Sequence, residues 1–301
     1  MAGQSSRTSP TVAVLMGGIS AEREVSLSSG KACASALRDQ GYKVVEVDAG
    51  PSLVQCLQSI DPYAVLNCLH GRWGEDGCVQ GILEWVGIPY SHSGVLSSAL
   101  AMDKQRSKNI YRSVKLPVVD SIIVPAIAAR EKHLMKPPYV VKPNNEGSSV
   151  GVYVVHENSS GPPQLGLDMP ELVMVEAYVE GRELTTTVMG NRPLGVTDII
   201  TDGWYDYDAK YNGKSKEQTP AQIDEMTANT IRTLSKEIYE VLGLKSIARI
   251  DFILVGTTPN VIEVNTIPGF SEASIVPQML NIAGIDLKDF WKKVIEQELN
   301  S

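Results

Sequence analysis

The sequence lacks any apolar run long enough to cross a membrane, and it lacks an excess of positive charge. No stretch of its 301 residues approaches the ~18–20 apolar residues of a membrane span. The net charge of −8 creates no field that would attract nucleic acid or an anionic membrane surface. We therefore expect neither partner, and an anionic substrate would need a locally positive site.

Cysteine is also scarce, and the few thiols follow no ligand pattern. The four cysteines lie in the first third of the chain and match neither a zinc site nor a CxxC redox motif. The polar stretch MAGQSSRTSP contains no apolar signal region. We therefore expect a cytoplasmic location and free thiols. Within the apolar run YAVLNCL, Cys68 is predicted to be a buried strand residue.

The first hundred residues alternate between short apolar runs and helical stretches, which predicts a parallel sheet with helices on its faces. Ligand-binding loops in such sheets lie at the carboxyl ends of the strands, where Gly17-Gly18 and His70-Gly71 fall. No G-x-G-x-x-G motif follows the first strand, which argues against an NAD-binding domain. The predicted strands are 11–16, 42–48, 64–69 and 88–90, and the predicted helices are 22–40, 51–60 and 78–86.

From about residue 100 the pattern changes to short strands joined by turns rich in Gly, Pro and Asn. The predicted fold class is α/β, with a Rossmann-like N-terminal domain followed by two α+β lobes. The proposed domain bounds are 1–102, 103–184 and 185–301. Residues 203–220 show no periodicity, and a loop of this length with three tyrosines and a tryptophan predicts a lid. Further predicted elements are a helix at 102–114, strands at 139–143, 151–155 and 172–179, a helix at 221–242, a hairpin from 247 and a helical tail.

The hairpin carries a stripe of polar residues. Such a stripe could be the solvated face of a half-exposed sheet. It could also be a cation site, because two carboxylates and an amide oxygen are hard ligands that suit Mg²⁺. Alternation predicts that each strand presents one set of residues on a common face: Arg249, Asp251 and Ile253 in IARIDFILV, and Val261, Glu263 and Asn265 in VIEVNT.

A lysine at a strand end opens a loop rich in Gly, Ser and Asn, in the segment VVKPNNEGSSVGV (140–152). Backbone N–H groups of such a loop can cradle phosphate, and Lys142 would add a point charge. The segment does not match the P-loop spacing. Taken alone, it could also be a simple hairpin turn.

Four motifs together resemble the D-alanine–D-alanine ligases, an ATP-grasp family. They are R-I-D followed by E-V-N-T-x-P-G, K-P-x-x-E-G-S-S-x-G, A-E-R-E-V-S-L-x-S-G and L-H-G-x-x-G-E-D-G. The resemblance extends from about residue 11 to about residue 290. It implies that the two lobes form an ATP-grasp module. It also implies ATP-dependent ligation of two D-alanine molecules through an acyl phosphate, which supplies a peptidoglycan precursor.

The resemblance further implies a nucleotide site with metal ions. Two Mg²⁺ ions, with Mn²⁺ as a substitute, would be held by Asp251, Glu263 and Asn265. Arg249 would stabilise the developing oxyanion. The implied ATP contacts come from several motifs: Lys104, Lys142, Glu146, Gly147, Ser148, Ser149, Glu176, Ala177, Val179, Glu183 and Lys210.

For the substrates, the resemblance implies that Glu22 binds the ammonium group of the first D-alanine and that His70 lies nearby. Lid residue Tyr211 would close a hydrogen-bond triad with Ser148 and Glu22, while Lys210 reaches the γ-phosphate. Backbone N–H groups near Gly269 would meet the oxyanion together with Arg249. Ser274 would bind the carboxylate of the second D-alanine, with Ile275 in the same pocket.

Several positions depart from the common family pattern. Ala177 stands where lysine is frequent, Phe270 where methionine is common and Ile275 where leucine is common, and Ile267 fills the variable position of N-T-x-P-G. These departures leave open an acceptor such as D-lactate or D-serine, although Tyr211 favours D-alanine. A non-catalytic nucleotide-binding relative is disfavoured, because every matched metal ligand is present. The resemblance suggests a homodimer.

Overall fold

The computed structural model describes residues 9–147, 151–201 and 215–298. The chain forms two compact units. The first comprises the chain up to Gly74, Cys78–His92 and the chain from Gly269 onward, and the second comprises Glu75–Gly77 and Ser93–Pro268. The division into domains 1–102, 103–184 and 185–301 stays a prediction.

The first unit contains a parallel sheet, as the alternation predicted, and its three strands lie in the order β2-β1-β3. Residues 12–15 of β1 are fully buried, which is typical of a parallel strand covered on both faces. The predicted strand at 88–90 is reduced to one bridge between Tyr90 and Val65. The elements are β1 (Thr11–Met16), α1 (Arg23–Asp39), β2 (Lys43–Asp48), α2 (Leu53–Ile60), β3 (Ala64–Asn67) and α3 (Cys78–Val86).

Helix α1 packs on β1 through small side chains. A Cβ atom on Gly30 would lie only 2.5 Å from the Cβ of Met16, so glycine permits the close approach. Cys33 is buried on the same face. All four cysteines are free, as predicted, and Cys68 is buried one residue beyond the end of β3.

The C-terminal helices belong to the first unit. They are α8 (Ile275–Ile282), α9 (Leu287–Lys293) and a π-helical turn (Val294–Glu298). Helix α9 packs against α1, and Lys288 forms an ion pair with Asp39 at 3.2 Å. The helical tail was predicted, but its packing partner was not.

The second unit contains two antiparallel sheets, a four-stranded one in the order β4-β7-β5-β6 and a five-stranded one in the order β10-β9-β8-β11-β12. Strand β4 and helix α4 were not predicted. The strands are β4 (Ser121–Pro125), β5 (Tyr139–Pro143), β6 (Tyr153–Val155), β7 (Leu172–Ala177), β8 (Arg182–Met189), β9 (Arg192–Thr201), β10 (Ser215–Gln218), β11 (Ile247–Val255) and β12 (Thr258–Asn265). The helices are α4 (Val95–Met102), α5 (Lys104–Ser113), α6 (Ala126–Glu131) and α7 (Glu225–Val241).

Helix α7 covers the apolar face of the five-stranded sheet. Asp224 caps its first turn by accepting a hydrogen bond from the backbone N–H of Thr227 at 2.9 Å, which satisfies one of the free amide donors there. Ile231 and Ile238 pack in one core with Phe252 of β11. Among the described residues, no helix is long and apolar enough to cross a membrane.

The predicted lid at 203–220 is described only at its C-terminal end. Residues 215–218 form the edge strand β10, which pairs with β9. Residues 203–214 lie outside the described part of the chain. The lid therefore stays a prediction for those residues.

Candidate active site

The hairpin β11–β12 places its predicted polar residues together. Arg249 pairs with Asn265 across the two strands, and Asp251 pairs with Glu263. Directly paired residues point to the same face of an antiparallel sheet. The grouping of these four residues is therefore confirmed.

One residue of the predicted stripe was placed wrongly. The register shifts after Asp251, so that Phe252 pairs with Val261 and the chain bulges at Ile262. A bulge inserts one extra residue and reverses the facing of those beyond it. Val261 therefore packs in the core with Phe252, whereas Ile262 and Ile253 line a cavity.

The carboxylate of Asp251 is buried and accepts three hydrogen bonds. It accepts hydrogen bonds from Arg249 Nε at 2.9 Å, from Arg249 Nη2 at 2.8 Å and from Thr185 Oγ1 at 2.6 Å. Only 4% of Asp251 is exposed. Such a paired contact between a guanidinium and a carboxylate fixes the orientation of the two groups and also stabilises them.

The donor set of the hairpin fits a magnesium ion. Asp251 and Glu263 supply carboxylate oxygens, and Asn265 supplies an amide oxygen that also accepts the N–H of Ile267 at 3.2 Å. Within the described ranges, no three His, Cys, Asp or Glu side chains form a closed metal site. Mg²⁺ characteristically binds one or two carboxylates and takes its other ligands from water and phosphate. The residues present therefore suit an ion that arrives with a phosphorylated ligand.

A cavity of about 480 Å³ lies in the second unit and is lined by most residues predicted for the nucleotide. Apolar side chains, including Val140, Ile199 and Ile253, line it together with charged ones. Apolar walls with a few placed polar groups are typical of small-molecule sites. The predicted residues found in the lining are Lys104, Lys142, Glu146, Gly147, Glu176, Ala177, Val179, Glu183 and Glu263.

The segment after β5 is fastened to the start of α5. The N–H of Lys104 donates to the carbonyl oxygen of Asn144 at 3.2 Å, and Asn144 Nδ2 donates to Asp103 Oδ1 at 2.8 Å. Lys104 Nζ donates to the carbonyl oxygen of Glu146 at 2.6 Å and lies 3.4 Å from Glu263 Oε2. These contacts place an ammonium group between the loop and the carboxylates of the hairpin.

Glu176 forms a buried cluster with two lysines. Lys142 Nζ lies 2.5 Å from Glu176 Oε1, and Lys108 binds Glu176 Oε2. Burial acts to raise the pKa of Glu176, but the two ammonium groups outweigh it and hold the pKa below its usual value. Lys108 was missed in the sequence, although it lies one helical turn after Lys104, a spacing that places both on one side of α5.

The first unit brings other predicted residues together. His70 Nε2 lies 3.2 Å from Ser29 Oγ, which also accepts the N–H of Phe270 at 3.1 Å. The carboxylate of Glu22 lies against Gly71, where a Cβ atom would clash with it and where φ is +68°. Glycine is needed there both for space and for the left-handed backbone.

Ser29 connects the two predicted substrate motifs, and sequence reasoning missed it. Its hydroxyl joins His70 to the segment that begins at Gly269. A Cβ atom on Gly269 would lie 2.8 Å from Ser274 Oγ, and Ser274 is the N-cap residue of α8, directly before Ile275. Ser29 is the second serine of S-L-x-S-G in the motif A-E-R-E-V-S-L-x-S-G, and its place in that motif was the available sequence signal. It is buried on α1.

Arg23 and Asp48, which were not among the predicted site residues, form an ion pair that holds the glycine turn after β1. Arg23 Nη1 lies 2.7 Å from Asp48 Oδ1 and Arg23 Nη2 lies 2.5 Å from Asp48 Oδ2. The N–H of Gly18 donates to the same Asp48 carboxylate at 3.0 Å. The bonds from Arg23 and Gly18 lower the pKa of Asp48 to about 2.

Four predicted residues lie outside the described part of the chain. They are Ser148, Ser149, Lys210 and Tyr211. The hydrogen-bond triad and the γ-phosphate contact implied for them stay predictions.

Ammonium groups and carboxylates that line one cavity define the kind of site that binds a polyanionic ligand with divalent cations. Comparison with known proteins gives the family. The chain belongs to the D-alanine–D-alanine ligase family, since the family model for the D-ala D-ala ligase C-terminus matches residues 98–296. The family inferred from the motifs is thus confirmed.

Relatives match over nearly the full length. The chain is 59% identical to the D-alanine–D-alanine ligase of Roseobacter denitrificans, covering 94% of this chain and 90% of the relative. It is 54% identical to that of Cereibacter sphaeroides over 98% of both chains. Two solved structures of the Bacillus anthracis D-alanine–D-alanine ligase, one of them complexed with ATP, cover 97% of this chain and 98% of theirs. Their TM-scores are 0.80 and 0.81 at 28% and 31% identity.

Proposed function

We propose that the protein joins two D-alanine molecules into D-alanyl-D-alanine, with ATP converted to ADP and phosphate, and so supplies a peptidoglycan precursor. The observation that carries the proposal is the cavity in which Lys104 and Lys142 lie beside the carboxylates of Glu263 and Glu176. Lysine side chains suit phosphate oxygens. The carboxylates of the hairpin would repel a phosphate unless cations lay between the two.

The chemistry requires activation, because a carboxylate is a poor electrophile. Transfer of the γ-phosphoryl group to the first D-alanine makes an acyl phosphate, and attack by the second amino group then releases phosphate. Mg²⁺ held at Asp251, Glu263 and Asn265 would neutralise charge on the transferring phosphoryl group. Lys104 and Lys142 would add fixed positive charge beside it.

Arg249 has two roles in this proposal. Its Nε and Nη2 hold Asp251, as the distances of 2.9 Å and 2.8 Å indicate. Its Nη1 would meet the oxyanion that develops when the acyl carbon is attacked. Because Asp251 fixes the guanidinium plane, the oxyanion donor is oriented before the substrate arrives.

Residues of the first unit would bind the amino acids. The Glu22 carboxylate would accept the ammonium group of the first D-alanine, with His70 nearby. Ser274, at the N-terminus of α8, would bind the carboxylate of the second, since a helix N-terminus favours an anion. Lys210 and Tyr211 are proposed to act in the lid, which would exclude water from the acyl phosphate.

D-Alanine is the proposed acceptor because Tyr211 favours it and because two departures from the family pattern, Phe270 and Ile275, serve packing. Phe270 is buried, and its ring lies 4.7 Å from that of Trp291. Ile275 is also buried, in the first turn of α8. These side chains fill the core of the first unit, so their identity follows from packing there.

The finer architecture forms part of the proposal. The first unit would be a Rossmann-like domain and the second an ATP-grasp module of two lobes. From the family resemblance we add two Mg²⁺ ions, a cytoplasmic location and a homodimer. Light scattering of the purified protein tests the homodimer.

The test is a product assay. The protein is mixed with ATP, Mg²⁺ and D-alanine, alone or with D-lactate or D-serine, and products are identified by mass. We expect D-alanyl-D-alanine and ADP in equal amounts, with the dipeptide dominant in every mixture. A depsipeptide or a mixed dipeptide as main product would overturn the acceptor, and ADP release without D-alanine would overturn the ligase.

A further inference from the structure

Lys108 is the one member of the Glu176 cluster that the proposed chemistry does not use. Lys142 and Glu176 line the cavity, whereas Lys108 is only 1% exposed. Lys108 Nζ donates to the carbonyl oxygen of Val119 at 2.9 Å and to Glu176 Oε2. The Glu176 carboxylate thus has one lysine at the cavity and one in the protein interior.

We propose, on the basis of the function proposed above, that Lys108 is a positioning residue that holds the Glu176 carboxylate so that Lys142 can exchange it for a nucleotide phosphate. Lys142 has two possible anionic partners in the cavity, the carboxylate and the phosphate. Lys108 has one, because its burial keeps it against Glu176 and Val119.

The energetic reason is the cost of a buried charge without a partner. Taking one partner from a buried ion pair is strongly unfavourable, since the remaining charge is no longer compensated. If Lys142 were the sole partner of Glu176, its movement to a phosphate would leave that carboxylate uncompensated. With Lys108 in place, the Glu176 carboxylate keeps one ammonium partner after Lys142 has moved to a phosphate.

The same geometry couples nucleotide binding to a proton. Burial lowers the pKa of Lys108, the Glu176 carboxylate opposes this, and the charges of Lys142 and Arg112 add to the lowering, so that the pKa lies at about 8. Helix α4 and strand β4, which also pack against α5, carry no titratable side chain. When phosphate oxygens neutralise Lys142, its lowering effect weakens and the pKa of Lys108 rises. Near pH 8 the protein should therefore take up part of a proton as nucleotide binds.

Affinity for a non-hydrolysable ATP analogue tests the positioning role. The dissociation constant of adenosine 5′-(β,γ-imido)triphosphate with Mg²⁺ is measured by calorimetry for the wild type and for Lys108→Met. We expect at least about a tenfold loss of affinity, since a single uncompensated buried charge costs that much or more. Lys236→Met is the matched control, because Lys236 is 52% exposed in the same unit, and it should bind as the wild type does.

A double variant separates positioning from mere packing. In a Glu176→Gln background no carboxylate charge remains to be compensated, so Lys108→Met should cause no further loss of affinity. If Lys108 served only packing, Lys108→Met would lower the nucleotide affinity by the same factor in the wild-type and the Glu176→Gln backgrounds. Equal affinity of wild type and Lys108→Met, or the same tenfold loss in both backgrounds, would overturn the proposal.

Proton uptake provides an independent measurement if Lys108→Met does not fold. Binding heats are compared at pH 8 in two buffers of different ionisation enthalpy, for the wild type and for Lys108→Arg. Uptake should be present in the wild type and absent in Lys108→Arg, since a guanidinium stays protonated. Equal uptake in both would overturn the proposal. A wild type that binds no nucleotide would instead contradict the proposed function itself.

Discussion

Arg249→Ala should destabilise the protein as well as stop ligation. The substitution removes two hydrogen bonds to Asp251, at 2.9 Å and 2.8 Å, and leaves that carboxylate buried. Breaking a buried ion pair from one side costs roughly 3–5 kcal/mol. Because the Arg249 side chain is 18% exposed and Asp251 keeps the Thr185 hydroxyl, we expect the lower end, about 3 kcal/mol. At ~2 °C per kcal/mol, Tm should fall by about 6 °C.

Calorimetric unfolding of three variants checks this reasoning. Arg249→Ala should show the lowered Tm, and Arg249→Ala combined with Asp251→Asn should recover most of it, because no unpaired charge remains. Neither should form dipeptide. Arg232→Ala, which breaks an exposed ion pair with Glu225, is the control, and it should cost only ~0–1 kcal/mol. A Tm for Arg249→Ala within about 1 °C of wild type, or no recovery in the double variant, would refute the argument.

Three further substitutions have distinct expected outcomes. Gly71→Ala should displace the Glu22 carboxylate and raise KM for D-alanine while the affinity for ATP stays unchanged; equal changes in both would contradict it. The pKa of Asp48 is lowered from 3.8 to about 2, so its contribution to stability is lost as pH falls through that interval. Asp48→Asn should flatten the dependence of the free energy of unfolding on pH in this interval. An unaltered slope would contradict the stabilising role of the Asp48 carboxylate. Glu263→Gln should raise the Mg²⁺ concentration needed for turnover and leave Tm within about 2 °C of wild type; an unchanged Mg²⁺ dependence would argue against a metal ligand there.

The sequence predicted the features that follow from a short repeat along the chain. Alternation in β11 and β12 correctly grouped Arg249, Asp251, Glu263 and Asn265, because a strand repeats every two residues. It failed at Val261, since a bulge interrupts that period and nothing in the local residues marks it. Most strands and helices of the first unit were predicted from apolar runs and helical stretches between turn residues.

The residues that were missed depend on contacts distant along the chain. Lys108 contacts Glu176, which lies 68 residues away, and Ser29 contacts Phe270, which lies 241 residues away. A lysine or serine in a helix has an ordinary solvated role unless the tertiary fold buries it. The packing of α9 on α1 was missed for the same reason, because an amphipathic pattern predicts a buried face but not the surface that covers it.

The fate of a labelled carboxylate oxygen tests the central claim most directly. D-Alanine with both carboxylate oxygens replaced by ¹⁸O is incubated with the protein, ATP and Mg²⁺, and the products are weighed by mass spectrometry. If the carboxylate is activated by the γ-phosphoryl group, one labelled oxygen per turnover appears in inorganic phosphate and the new amide carbonyl keeps the other. Dipeptide formed with unlabelled phosphate, or label found in AMP, would contradict the account.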